Sequence, residues 1–293
     1  MMTQSDVAAA WLAKLAFLCF MFCLGTSCAY GSSVVFVVSK TGDYVVIAAD
    51  SRSLKATGDN NRSLEMKTMN PVHGNSECKI IALDGDTLFY ETGTAYIGVH
   101  RGKPWSSLAI ARSVYKSSTK HDAMSLSVAW GNRALEWFYG QSANDIGSVT
   151  DSEEGLTNGG FINFDERSEP SAHGQTLYYD SSKRQLSRKP TVQSLGQIGA
   201  AGVGRGLVSE LVSGKTTRAR AALGAIPVDK LTTSLVIDTQ FVTKAVQFVI
   251  DNATGREKES VRGPIDVAVI RRFGGVDWVR RKNECRAADL VLH

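Results

Sequence analysis

Ser32-Ser33-Val34-Val35-Phe36-Val37-Val38, then Lys40-Thr41-Gly42-Asp43, then Tyr44-Val45-Val46-Ile47-Ala48-Ala49-Asp50-Ser51-Arg52, place two β-branched runs on either side of a glycine-containing turn. Branched side chains suit a pleated, packed surface, so the stretch reads as a buried β-hairpin. The segment from Ser51 to Glu77 is polar, rich in Asn and Gly, and reads as a loop. A second hairpin follows: Lys79-Ile80-Ile81-Ala82-Leu83, the turn Asp84-Gly85-Asp86, then Thr87-Leu88-Phe89-Tyr90-Glu91-Thr92-Gly93. Asp-Gly suits a tight turn, because glycine reaches positive φ without a Cβ clash.

Farther out, Leu108, Ile110, Ala111, Val114 and Tyr115 recur at helical spacing between Trp105 and Lys116. Ser125-Leu126-Ser127-Val128-Ala129-Trp130 alternates like a half-buried strand. Strand-like pieces stand at Gly160–Phe164 and Thr176–Asp180, and helices are expected over Gly204–Ser213 and from Thr233 to about Asn252. Gly263-Pro264 halts the chain before the strand Ile265–Ile270, and a last strand runs from Val276 to about Arg281. Strands and helices come in blocks, which favours an α+β fold over an alternating parallel sheet. No linker divides residues 32–293, which are expected to form one domain.

Residues 1–31 read differently. Lys14 precedes the apolar run Leu15–Leu24, and small residues Gly25-Thr26-Ser27-Cys28-Ala29 follow. A positive charge, a short apolar run and a small-residue exit make a secretory signal peptide, so the protein is expected to be exported, to a periplasm or the extracellular space. The run falls short of the roughly 20 apolar residues of a membrane span, and an uncleaved anchor is the alternative. Three of the five cysteines lie in this leader; Cys78 and Cys285 remain, and their spacing leaves both a disulfide and two separate thiols open.

With a hydrophobic content of 43% and a formal net charge of +4, the chain is an ordinary globular protein with no electrostatic case for nucleic acid. Arg271-Arg272 and Arg280-Arg281-Lys282 read as charged edge strands. Gly214-Lys215-Thr216 imitates the end of a phosphate loop, but the motif needs glycine where Ser209 stands. The five histidines show no paired metal spacing, and no cofactor motif is found.

Ser32-Ser33-Val34-Val35, Ala48-Ala49-Asp50-Ser51-Arg52, Lys79-Ile80 and Gly93-Thr94-Ala95 together resemble the proteasome β-subunit family of N-terminal-nucleophile (Ntn) hydrolases. Its pattern has a nucleophile opening the first strand, Ala-Asp-Ser-Arg ending the second, a lysine starting the third and a glycine ending the fourth. Gly263-Pro264-Ile265-Asp266-Val267-Ala268-Val269-Ile270 is similar to the family's last helix-to-strand junction. The likeness covers the first and last thirds of the mature chain. It implies a four-layer αββα sandwich of two antiparallel sheets flanked by helices.

It further implies hydrolysis of a peptide or amide substrate, with Ser32 as nucleophile and its own α-amine as base, and Ser33 as the fallback nucleophile. Lys79 would be the neighbouring cation, Asp50 its partner, and Gly93 an oxyanion donor through its N–H. Arg52, Glu259 and Ser260 would support the site. Homo-oligomers also follow from the family. The chain departs from the pattern in its serine nucleophile, where threonine is usual, and in Val203-Gly204, where the family places a hydroxyl. Between Gly93 and Ser125 there is room for one helix, where the family packs two. A catalytically silent structural subunit and a signal-anchored interaction protein are the alternatives.

Overall fold

A computed structural model describes residues 33–51, 53–55, 72–74, 78–93, 96–100, 103–139, 156–165, 169–180, 183, 185–254, 258, 261–286 and 289. The first hairpin is present as read. Strand β1 (Ser33–Val38) pairs antiparallel with β2 (Tyr44–Ala49), from Val34 opposite Ala49 to Val38 opposite Val45. Both strands are buried along their whole length, which accounts for apolar runs without polar alternation. Their side chains divide by parity. Val34, Phe36, Val38, Val45, Ile47 and Ala49 enter one hydrophobic cluster, and Val35, Val37, Tyr44, Val46 and Ala48 enter another.

Two short strands, β3 (Ser53–Lys55) and β4 (Val72–Gly74), pair with each other. The second hairpin is β5 (Ile80–Ala82) with β6 (Leu88–Gly93), and a further small pair is β7 (Tyr96–His100) with β8 (Lys103–Ser106). The middle of the chain supplies β9 (Thr157–Phe164), β10 (Pro170–Asp180), β11 (Gln185–Gln193) and β12 (Ile198–Gly202). The C-terminal hairpin is β13 (Asp266–Arg271) and β14 (Gly275–Arg280). Two five-stranded antiparallel sheets result, in the orders β12-β1-β2-β13-β14 and β11-β10-β9-β6-β5. Sequence reading missed β3, β4, β7, β8, β11 and β12, the first two standing within Ser51–Glu77, which reads as a loop. Pro190 argues against a strand in isolation, and β11 tolerates it as an edge strand, where a missing N–H interrupts no further ladder.

The described α-helices are α1 (Ser107–Ser117), α2 (Ala123–Tyr139), α3 (Arg205–Ser213), α4 (Thr217–Leu223), α5 (Leu235–Asn252) and the short α6 (Asn283–Arg286). The stretch Ser125–Trp130, expected as a strand, belongs to α2, and two helices stand where one was expected. Its apparent alternation misleads because Val128 is 37% exposed while Leu126 and Trp130 are fully buried. The buried set Ala123, Leu126, Ser127, Trp130, Gly131, Ala134 and Phe138 has helical spacing, and the Asp122 carboxylate accepts the Ser125 N–H at 2.8 Å as a cap.

Three clusters set the layering. One joins the first sheet to α3, α4 and α5, a second joins the other sheet to α1 and α2, and a third fills the space between the sheets. The protein is therefore α+β, with two antiparallel sheets face to face and helices on their outer sides. Cys78 and Cys285 form a disulfide, so the alternative of two separate thiols is set aside.

Tyr44 reaches from β2 to α5, where its hydroxyl donates to Asp238 Oδ2 at 2.8 Å; Thr232 N donates to Oδ1 at 2.8 Å. Burial raises the Asp238 carboxyl above its ordinary range, and both hydrogen bonds oppose that rise. Replacing Tyr44 by Phe removes one donor from a buried acceptor and is expected to lower stability by about 1–3 kcal/mol. Urea denaturation near neutral pH measures this; an unchanged midpoint would mean that Asp238 does not depend on the hydroxyl.

Candidate active site

Strand β2 ends at Ala49, and the next residue, Asp50, is 1% exposed. Lys79 immediately precedes β5 and is also 1% exposed. Their side chains meet at 2.7 Å, Lys79 Nζ donating to Asp50 Oδ1. The same oxygen accepts the Ser33 N–H at 2.8 Å, and Oδ2 accepts the Arg262 N–H at 3.1 Å. One carboxylate thus gathers the start of β1, the approach to β5 and the segment before β13. Ser51 binds that last segment again, since its N–H donates to Arg262 O at 3.1 Å and its hydroxyl donates to Pro264 O.

Burial pushes the Lys79 ammonium below the usual lysine range. The Asp50 charge and hydrogen bond oppose this, Lys282 adds to the lowering, and Glu91, buried in β6, opposes it. Sequence reading missed a second group of charges behind this pair. Asp266, opposite Ala49 in the β13–β2 ladder, accepts Lys282 N at 2.8 Å and Arg281 Nη1 at 3.1 Å, with Lys282 Nζ 3.3 Å away. A charged residue inside the apolar run Ile265–Ile270 was the available signal.

Gly93 ends β6 with φ +81°, and a Cβ there would come within 2.8 Å of Leu156 O, so the backbone requires glycine. Ser33 is 1% exposed, and its hydroxyl has no hydrogen-bond partner among the described residues. By strand parity its side chain belongs with Val35 and Val37, on the helix side of the sheet. Gly204 caps α3 at φ +89°, where a Cβ would meet Val249 Cγ1 at 2.5 Å, and Val203 is buried in the core. Packing therefore leaves no space for a side chain at Gly204, and Val203 fills its place with an apolar one.

Of the residues singled out from sequence, Asp50, Lys79 and Ser33 are brought together. Gly93 closes the strand after the β5–β6 turn. Ser32, Arg52, Glu259 and Ser260, and all of residues 1–31, lie outside the described residues. Among the described residues no group of three or more His, Cys, Asp or Glu side chains is placed to hold a metal ion, and no helix is long and apolar enough to cross a membrane.

No protein-family model matches the chain, and no curated protein matches it significantly.

Two measurements probe this geometry. Asp50→Asn leaves a buried ammonium without its charged partner, so a loss of about 3–5 kcal/mol is expected. Lys79→Met should cost less, because Asp50 retains two backbone N–H donors; equal or reversed losses in parallel denaturation curves would contradict this. Gly93→Ala forces an L-residue into left-handed backbone and is expected to cost about 1–3 kcal/mol. An unaltered melting curve would show that the strand end relaxes freely.

Proposed function

We propose that the chain is an exported N-terminal-nucleophile hydrolase of the proteasome β-subunit type, which cleaves peptide or amide bonds with Ser32 as nucleophile. The observation that carries the reading is the buried Lys79–Asp50 pair, whose Asp50 Oδ1 also holds the Ser33 amide. A cation in a nearly dry interior, tied through one oxygen to the start of β1, is an arrangement suited to a nucleophile immediately before Ser33. The antiparallel two-sheet architecture and the order of the motifs along it agree with that family.

Cleavage between Gly31 and Ser32 would free the Ser32 amine. A free α-amine titrates at about 7.7–8.0 and serves as a base near neutral pH. It takes the Ser32 Oγ proton as Oγ attacks the carbonyl carbon, while the Lys79 ammonium favours the developing alkoxide. Gly93 N–H would steady the oxyanion. The protonated amine gives its proton to the leaving nitrogen, an ester forms on Oγ, and water activated by the same amine releases the acid.

Ser33 is the weaker nucleophile candidate on two grounds. Its parity takes the hydroxyl to the helix side of the sheet. Its nitrogen, if it were a free amine, would sit against a buried carboxylate that favours the protonated, non-basic form. Export agrees with the leader and with the Cys78–Cys285 bond, since disulfides persist in oxidising compartments.

A second reading, a catalytically silent subunit of the same fold, is favoured by Gly204, where packing leaves no space for the hydroxyl that the resemblance places nearby. N-terminal sequencing of the exported protein separates the two, with a chain beginning at Ser32 expected. Ser32→Ala is expected to abolish hydrolysis of a peptide or amide library while leaving the melting temperature unchanged. A mature chain beginning at Tyr30, as cleavage after Ser27-Cys28-Ala29 would release, or full activity in Ser32→Ala, would overturn the assignment.

A further inference from the structure

After β14 the chain crosses the end of both sheets, and this segment carries contacts that charged-edge spacing does not explain. The Cys78–Cys285 bond holds the residue just before Lys79. Arg281 Nη1 donates to Ile80 O, just after Lys79, at 2.8 Å, and Asp289 Oδ1 accepts Ala82 N at 3.0 Å. Arg281 is itself locked: its guanidinium is 3% exposed, pairs with Asp266 and Asp289, donates to Cys285 O, and lies 3.8 Å from the centroid of the Trp278 ring. Lys282, 7% exposed, turns its ammonium inward to Asp266 instead of to water. A lysine side chain has an easy alternative in solvent, so its burial needs a reason.

We propose that the segment Arg281–Cys285 is a positioning element of the active site: Arg281 and the disulfide hold the backbone on both sides of Lys79, and Lys282 sets a second buried cation against the Asp50–Lys79 pair. This rests on the reading of Lys79 as the cation beside the nucleophile. The groups whose charges act on Lys79 are Asp50 at the end of β2, Glu91 in β6 and Lys282 after β14. Those acting on Lys282 are Asp266 in β13, Arg281 and Asp50. With like charge beside it, the Lys79 ammonium releases its proton more readily than the Asp50 contact alone would permit. Burial is the largest cause of the lowered Lys79 titration, and the C-terminal segment adds to it through the Lys282 charge.

The test follows the Lys79 side-chain amine by NMR titration of lysine-labelled mature protein, with the signal assigned by its loss in Lys79→Arg. Lys282→Gln keeps a donor for Asp266 and removes the charge; it is expected to move the Lys79 titration to higher pH. Lys282→Arg keeps the charge and should leave the titration at the wild-type position. An unmoved titration in folded Lys282→Gln overturns the proposal. If that variant does not fold, the wild-type protein is reduced at Cys78–Cys285 under native conditions. Freeing the segment should then raise the Lys79 titration and speed hydrogen exchange at the Ile80–Ala82 amides, and no change in either overturns the proposal.

None of these readings needs turnover. A displaced Lys79 titration in a protein that cleaves no peptide or amide bond would sink the hydrolase reading and leave the positioning intact. If the protein is active, the basic limb of its pH–kcat profile should move upward in Lys282→Gln. Activity with an unmoved limb would overturn the positioning and leave the hydrolase reading in place.

Discussion

The contact between Lys79 and Asp50 ties one sheet to the other with two charges in an interior where each is 1% exposed. Removing an ion from water costs several kcal/mol even after relaxation, so such a pair persists only where geometry and further hydrogen bonds offset the cost. Here the offset is visible atom by atom. Among the described residues Asp50 accepts the Lys79 ammonium and two backbone amides, that of Ser33 being buried. Remove the carboxylate, and the first amide of β1, the Arg262 amide and the lysine all lose a partner together. The pair is thus a junction of three chain segments as well as a chemical group.

That constraint propagates outward. Because Asp50 follows β2 directly, its position depends on the β1–β2 register, which is held by apolar side chains on both faces. Because Lys79 precedes β5, its position depends on the disulfide before it and the Arg281 contact after it. Asp266 compensates Lys282 and Arg281 as Asp50 compensates Lys79. Two buried carboxylates therefore stand beside three buried cations, with Glu91 nearby. A hydrophobic substitution of equal volume would often match or exceed the stability of such a group. The proposed function gives such a group a use in reactivity at the start of β1 that stability alone does not supply.

Much of this is legible in the sequence. The two hairpins, the helix over Leu235–Asn252 and the strand closing on Ile270 follow from local rules, because a buried strand and an amphipathic helix each write their neighbours into their own pattern. Motif order singles out Asp50, Lys79 and Gly93, and the fold brings the first two into contact. Trp130 shows the limit of such rules: six residues of alternation imitated a strand, while the decisive signals, the Asp122 cap and the spacing out to Phe138, lay beyond that window. Strand β11 was hidden by Pro190, whose cost vanishes at a sheet edge, and an edge is a property of the assembled sheet.

By itself the sequence determined the apolar runs, the turns between them and hence two hairpins and an α+β fold, since these depend on neighbours a few residues apart. It also supplied the residue types of the site. Only the tertiary structure decided that one oxygen of Asp50 serves both Lys79 and Ser33, that the backbone N–H of Arg262 reaches its other oxygen, and that Cys78 reaches Cys285 across 207 residues. The physical reason is range. Strand and helix periodicity is a local steric preference, whereas a buried charge must find compensation wherever the packed chain brings a partner, and separation along the sequence carries no record of that meeting.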